Sequence, residues 1–431
     1  MCIEELYRVY RDFPDISTDT RQIRQNCIFF ALKGANFNGN AFAYQALKAG
    51  ARYVVIDEPE YKINENYILV DNVLETLQEL ARFHSAQWNI PVIGVTGTNG
   101  KTTTKELLYT VLSQKYRVYA TRGNLNNHIG VPLTVLAVDD SYEAAVIEMG
   151  ANHVGEIAFL CGIAQPTHGL ITNVGKAHLE GFGSFEGVKK AKGELYDYLQ
   201  DHRGTLFIQG DNSDLAEMAA ARNFIQTVKY GKDDANDVIG HLLVADPYLS
   251  ISWKKKGESS AWQVSTNLTG SYNLENFLAA IAVGLYLDVE PEAINRGIEM
   301  YTPTNNRSQI TKTDRNTVIA DFYNANASSM AVALDNMSIL EAPHKVVILG
   351  DMFELGNESY EEHRKIVMKA KTLTLDRLIF VGKEFYKHRD ETAEFYESTD
   401  LARARVATLS DSFILLKASR GMAFERLLEV L

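Results

Sequence analysis

Short apolar, β-branched runs alternate with stretches of helical period along most of the chain. The runs are Tyr53-Val-Val-Ile-Asp57, Val92-Ile-Gly-Val-Thr96, Ala144-Ala-Val-Ile-Glu148, Gly169-Leu-Ile-Thr-Asn173, Val318-Ile-Ala-Asp321, Val346-Val-Ile-Leu-Gly350 and Ile414-Leu-Leu-Lys417. Between them lie helix-period segments such as 73–83, 105–112 and 277–285. Near-continuous apolar strands separated by helices predict an α/β fold with parallel sheets covered on both faces. Several runs end in, or are followed at once by, a polar residue: Asp57, Thr96, Glu148, Asn173, Asp321 and Asp351. Ligands in open α/β sheets bind beyond the carboxyl ends of strands, so these positions are where chemistry is expected.

At about 100–200 residues per domain, 431 residues allow two to four domains. Three segments separate: a small N-terminal α/β unit at 1–85, a central parallel-sheet unit at 86–305 and a third α/β unit at 306–431. The central unit contains a β-rich insert over Asp237 to Leu268, with a hairpin turn expected at Lys254-Lys-Lys-Gly-Glu258. Turn residues at Tyr301-Thr-Pro-Thr-Asn-Asn306 mark the last boundary. No fixed-period repeat is visible.

Composition narrows the classes. With 46% hydrophobic residues the chain can bury cores, which excludes disordered and low-complexity classes. No apolar run approaches the ~20 residues of a membrane helix, so no membrane span is expected. The opening Met1-Cys-Ile-Glu-Glu5 is acidic where a secretory signal is basic. Three scattered cysteines, Cys2, Cys27 and Cys161, read as thiols in a reducing compartment, and a cytoplasmic location follows as an expectation. The net charge of −12 argues against a nucleic-acid partner.

The sharpest motif follows the run 92–96. Thr96-Gly97-Thr98-Asn99-Gly100-Lys101-Thr102-Thr103 leads straight into a helix-compatible stretch. Glycines let successive N–H groups turn onto phosphate oxygens at a helix start. Lys101 would reach the terminal phosphates and the Thr102 hydroxyl a Mg²⁺ ion. Val95 stands where the longer form of this loop has its first glycine, so the loop is a compact G-x-x-G-K-T variant. Glu148, at the end of another strand, has the placement of a metal-holding carboxylate. Spacing alone leaves His178 an ordinary histidine and Lys192 an ordinary helix lysine. Asn276 opens an apolar helix and reads equally as a helix N-cap or a base-reading amide. Arg307 and Asp321 suit phosphate and ribose contacts. The segments Gly350-Asp-Met-Phe-Glu-Leu-Gly356 and Lys417-Ala-Ser-Arg-Gly421 place acidic and basic groups on one rim, as a zwitterionic substrate requires.

In this order the motifs resemble the Mur ligases, ATP-dependent amide-forming enzymes of peptidoglycan synthesis. The resemblance rests on Gly97-Thr-Asn-Gly-Lys-Thr102, Asn126-Asn-His-Ile-Gly-Val-Pro132 (a run opening at Asn126 and Asn127), Ile171-Thr-Asn-Val-Gly-Lys-Ala-His178, Tyr272-Asn-Leu-Glu-Asn276 and Asp321-Phe-Tyr-Asn-Ala-Asn326. It covers nearly the whole chain. Within the family, Gly350 to Gly356 with His363, and Lys417-Ala-Ser-Arg420, look like the member that adds D-alanyl-D-alanine to a UDP-N-acetylmuramoyl-tripeptide. The Asp-Asn-Pro-Arg signature of the diaminopimelate- or lysine-adding ligase is absent. The resemblance implies three domains: a UDP-substrate-binding domain, a central ATP-binding domain and a C-terminal Rossmann-like domain for the amine. It also implies an acyl-phosphate intermediate, ATP and Mg²⁺ as cofactors, and a monomer.

Residue by residue, the same resemblance gives Thr20, Arg21, Lys33, Asn126 and Asn127 to the UDP substrate. Thr96 to Thr103, Asn276, Arg307, Asp321 and Asn326 fall to ATP, with Asn276 on the adenine and Asp321 on the ribose. Thr102, Glu148, His178 and Lys192 are given to metal, with Lys192 matching a lysine that the family carbamylates; Lys101, Lys192 and His178 are the catalytic set. Asp351, Glu354, Ser419 and Arg420 fall to the amine substrate. Three departures, Asn306 before Arg307, Ala327 and Ala418, stand where the family usually has Gly, Pro and Gly. Two other readings fit the loop: a related ligase of the folylpolyglutamate or cyanophycin type, and an ATP-binding module without amide chemistry.

Overall fold

The computed structural model describes residues 1–176 and 179–431. It contains three main sheets, one in each segment. The first orders the strands Ile16–Ser17, Ile28–Phe30, Tyr53–Ile56 and Tyr67–Leu69, all parallel. Its strands are apolar on both faces because both are covered. Phe29, Val54 and Ile56 pack with Ala43 and Ala46 of the helix Ala43–Lys48. On the other face, Phe30, Val55 and Ile68 meet Leu77, Leu80 and Ala81 of the helix Val73–Ser85. That helix also packs on Gly130–Leu136 and Glu156–Ala164 of the central segment. The first and second segments therefore meet through a continuous apolar contact.

The central sheet has nine strands. From one edge it runs Trp262–Ser265, Leu249–Lys255, Val238–Ala245, Gln226–Gly231, Thr205–Gln209, His168–Ile171, Val92–Thr96, Ala144–Glu148 and Val118–Ala120. Pairing is parallel except among the first three, the insert, where it is antiparallel. The hairpin turn foreseen at 254–258 falls between Leu249–Lys255 and Trp262–Ser265. Val92–Thr96 lies between Ala144–Glu148 on one side and His168–Ile171 on the other. The chain thus changes direction across the sheet at this strand, which opens a crevice beyond its carboxyl end.

The third sheet orders Gln309–Lys312, Thr317–Asp321, Phe413–Lys417, Lys345–Gly350, Arg377–Val381 and Glu394–Tyr396. Only the first pairing is antiparallel. Separate apolar clusters cover its two faces. Asp321 and Lys417 are register partners at neighbouring strand ends, and their side chains form a 2.7 Å ion pair with Lys417 almost fully buried. Removing one member of such a pair leaves an uncompensated charge. Lys417→Met is expected to destabilise this segment by about 3 kcal/mol in urea unfolding, with most of the loss recovered in the double variant Lys417→Met/Asp321→Asn.

Among the described residues, no helix is long and apolar enough to cross a membrane.

Candidate active site

The strand Val92–Thr96 ends, four residues turn, and the helix Lys101–Leu112 begins. Gly97 and Gly100 adopt φ of +143° and +81°, which only glycine takes without strain. There is also no room for more: a Cβ on Gly97 would lie 2.0 Å from Thr172 Oγ1, and one on Gly100 2.7 Å from Asn276 Oδ1. The next strand end straps the loop down. Thr98 N donates to Asn173 O (2.9 Å), Asn99 N to Asn173 Oδ1 (3.0 Å), and Thr172 Oγ1 to Asn99 O (2.6 Å). In the sequence Thr172 and Asn173 stand at a strand end and within the motif 171–178; their part as a strap depends on the sheet order.

Lys101 Nζ donates to the carbonyls of Gly97 (2.7 Å) and Thr98 (3.1 Å), so it curls over the loop. Burial lowers its pKa below the ordinary lysine value, Glu148 opposes that shift and Arg307 adds to it. Thr102 Oγ1 donates to Glu148 Oε2 at 2.9 Å, and Asn126 Nδ2 donates to Glu148 Oε1 at 2.8 Å. Thr96 is fully buried, and its hydroxyl has no partner among the described residues.

These groups share a cavity of about 870 Å³. Its walls include Thr98 to Thr103, Asn126, Asn127, Glu148 and Asn276 from the central segment. The third segment adds Arg307, Asp321, Asn326 and Lys417. Asn326 caps the helix Ala327–Ile339 by accepting from Ser329 N, and its amide also donates to Asn99 Oδ1 at 2.8 Å. Asn99 Nδ2 in turn donates to Ser328 Oγ at 2.9 Å. The loop of the central segment is thereby bonded directly to the third. Arg307 stacks over Tyr323, with its guanidinium carbon 3.9 Å from the ring centre.

Of the two readings of Asn276, the N-cap one fails. The helix Leu274–Tyr286 starts earlier, with Asn273 at its cap position. The Asn276 amide instead donates to Asn273 Oδ1 (2.8 Å) and accepts from Thr104 Oγ1 (3.1 Å) inside the cavity wall.

Lys192 departs most from its sequence reading. It is 2% exposed, beneath the Ala151 carbonyl (3.5 Å) and 5.3 Å from the Phe182 ring centre. Burial, assisted by the charge of Lys101, brings its pKa down to about 7. Between about pH 7 and 10.5 the unfolded chain therefore holds a proton that the folded chain does not, so this group makes stability rise with pH across that window. Lys192→Met removes the contribution. The gain in urea midpoint between pH 7 and pH 9, in carbonate-free buffer, is expected to be smaller than in the parent. His178 lies outside the described residues.

Other sequence candidates lie elsewhere. Thr20 and Arg21 occupy a single turn at Thr20–Gln22, where Arg21 is exposed and forked onto Asp19 (2.8 Å). Lys33 pairs with Asp57 (2.9 Å) and Glu58 (3.2 Å). None of the three lines the central cavity, so the structure separates them from Asn126 and Asn127. Asp351 is not on an open rim: it is buried, and its carboxylate accepts the N–H groups of Glu384 and Phe385 at 2.9 Å each. Ser419 is buried too, with its hydroxyl accepting from Phe353 N at 3.0 Å. Glu354 lines a smaller cavity between Met352 and Lys387, and Arg420 is exposed with its guanidinium carbon 5.3 Å from the Tyr323 ring centre.

A glycine loop between strand and helix, placed at a switch point and faced by a third unit across one cavity, defines an α/β protein of nucleotide-dependent type. Family models extend this over the chain: residues 14–85 match the Mur ligase family catalytic domain, 95–284 the Mur ligase middle domain and 306–422 the Mur ligase glutamate ligase domain. The chain belongs to the Mur ligase family. It is 37% identical to the UDP-N-acetylmuramoyl-tripeptide--D-alanyl-D-alanine ligase of Bacillus subtilis, over 96% of this chain and 92% of that protein. The Escherichia coli protein of the same name is 33% identical, covering 96% and 93%. Among solved structures, MurF from Acinetobacter baumannii superposes with a TM-score of 0.86 at 29% identity, covering 96% and 92%. MurF ligase from Thermotoga maritima in complex with ADP gives 0.84 at 26% identity, covering 96% of each chain.

Proposed function

We propose that this protein joins D-alanyl-D-alanine to UDP-N-acetylmuramoyl-tripeptide at the expense of ATP, in the synthesis of peptidoglycan precursors. The observation that carries the reading is the meeting of Lys101, Thr102 and Glu148 in a cavity walled by both larger segments. The relatives described above carry the two substrates in their name. In the proposed division of labour, residues 1–85 hold the UDP end through Thr20, Arg21 and Lys33. Residues 86–305 hold ATP, and 306–431 close over it and receive the amine, with Asp351, Glu354, Ser419 and Arg420 near its place. Since Asp351 and Ser419 are committed to backbone partners, they shape that site rather than contact the dipeptide.

The terminal carboxylate of the tripeptide attacks the γ-phosphorus of ATP. ADP leaves, and a mixed carboxylic–phosphoric anhydride forms. The dipeptide amine then adds to the acyl carbon, inorganic phosphate departs, and the amine loses a proton as the amide forms. Bringing a carboxylate to a phosphoryl group opposes two negative charges. Lys101 and the N-terminal end of the helix Lys101–Leu112 face that charge, with Arg307 opposite. Asn276 holds the adenine and Asp321 the ribose, while Asn326 reaches the nucleotide across the boundary and, through Asn99, keeps the third segment against the loop.

Mg²⁺ fits the residues present. Thr102 and Glu148 offer a hydroxyl and a carboxylate 2.9 Å apart, hard oxygen donors. Among the described residues no group of three His, Cys, Asp or Glu side chains could hold a metal. That suits an ion which takes one carboxylate from the protein and most of its ligands from phosphates and water. Bound there, Mg²⁺ would neutralise phosphate charge. His178 and Lys192 are proposed for a second ion. With a pKa of about 7, Lys192 is substantially neutral at neutral pH, as reaction with CO₂ to a carbamate requires.

The test is the mass of the product formed from a panel of UDP-muramoyl peptides and amines. The expected product is the tripeptide extended by D-alanyl-D-alanine, with one ADP released per amide. Extension by glutamate of a folate, or ATP hydrolysis that ignores both substrates, would overturn the reading.

A further inference from the structure

Thr121 and Lys105 have no role in the reaction described above, yet both are buried beside it. Thr121 is 1% exposed, directly after the edge strand Val118–Ala120. Its N–H makes the last ladder bond to Val146 O at 3.0 Å. The neighbouring strand Ala144–Glu148 continues two residues further, so the Glu148 N–H faces an edge the backbone has already left. The Thr121 hydroxyl fills the gap: Glu148 N donates to Thr121 Oγ1 at 2.9 Å. The Thr121 carbonyl is in turn held by the buried ammonium of Lys105, one turn after Lys101 on the loop helix, at 2.5 Å. Lys105 also pairs with Glu106 at 2.8 Å.

We infer that Thr121, anchored by Lys105, is a positioning residue that fixes Glu148 for holding a divalent cation. Glu148 is then held at three points: its backbone by Thr121, one carboxylate oxygen by Thr102 and the other by Asn126. A carboxylate that is the protein's main charged ligand to an ion loses affinity when its backbone can shift, because the remaining ligands belong to the nucleotide and cannot follow it. Burying an ammonium is costly unless its donors are used, and the bond to Thr121 is one such use. This inference rests on the reading of Glu148 as a metal ligand.

Two substitutions separate hydrogen bonding from packing. Thr121→Val keeps the shape and removes the hydroxyl, whereas Thr121→Ser keeps the hydroxyl and removes a methyl group. Mn²⁺ would be titrated into each enzyme–ADP complex, with free Mn²⁺ read by electron paramagnetic resonance. Thr121→Val and Lys105→Met are expected to weaken Mn²⁺ about tenfold, with Thr121→Ser within twofold of the parent. Equal weakening by Val and Ser, or none by Val, would overturn the inference. Glu148→Gln serves as the reference. If it leaves Mn²⁺ affinity unchanged, the reading of Glu148 has failed and the role of Thr121 fails with it. If Glu148→Gln weakens Mn²⁺ and Thr121→Val does not, only the positioning role is lost.

Discussion

Lys101→Ala is expected to lower amide formation by about 10³-fold while leaving the fold intact. The side chain donates only to the carbonyls of Gly97 and Thr98, three and four residues before it, so its loss breaks no contact between distant elements. What disappears is a positive charge at the place where the attacking carboxylate and the γ-phosphate must come together. Water screens poorly in a cavity, so each charge there counts for more than on a surface. Lys101→Arg is expected to recover little, because a planar guanidinium fork does not reproduce the compact ammonium that sits on the Gly97 and Thr98 carbonyls. Phosphate release coupled to product formation measures both variants; turnover within tenfold of the parent in Lys101→Ala would contradict the assignment.

Glu148→Gln is the second large effect. The substitution preserves volume and keeps an oxygen for the Thr102 hydroxyl. It removes the negative charge that draws a divalent ion to this strand end. Turnover is expected to fall about 10²-fold at fixed Mg²⁺, and the Mg²⁺ concentration for half-maximal rate to rise at least tenfold. A drop in turnover with an unmoved Mg²⁺ dependence would instead assign Glu148 to shaping the loop.

The parallel sheets and the glycine loop were legible because their signals are local. Each buried strand reads as a continuous apolar run, and the loop's residues are consecutive. The burial of Lys192 also has a trace in the sequence. In the helix Phe185–Asp201 the buried positions Val188, Ala191, Leu195, Tyr196 and Leu199 form one stripe, and Lys192 lies on it. A lysine in the middle of an apolar stripe is the detectable oddity. By contrast, the fate of Asp351 was not readable. Its carboxylate is consumed by N–H groups of Glu384 and Phe385, more than thirty residues away, and that pairing exists only after the third sheet forms. The bond from Asn99 to Asn326 and Ser328 was hidden for the same reason, since it joins separate segments. The cap reading of Asn276 fails because the turn Ser271–Asn273 runs directly into the helix and starts it two residues before Asn276.

The most direct measurement of the proposed chemistry follows an oxygen atom. The terminal carboxylate of UDP-N-acetylmuramoyl-tripeptide would be labelled with ¹⁸O and the ligation run with ATP and D-alanyl-D-alanine. Activation through an acyl phosphate transfers one carboxylate oxygen to phosphorus, so each inorganic phosphate released should carry one ¹⁸O and the new amide the other. Phosphate free of label would mean that water, not the substrate acid, attacks ATP in this cavity.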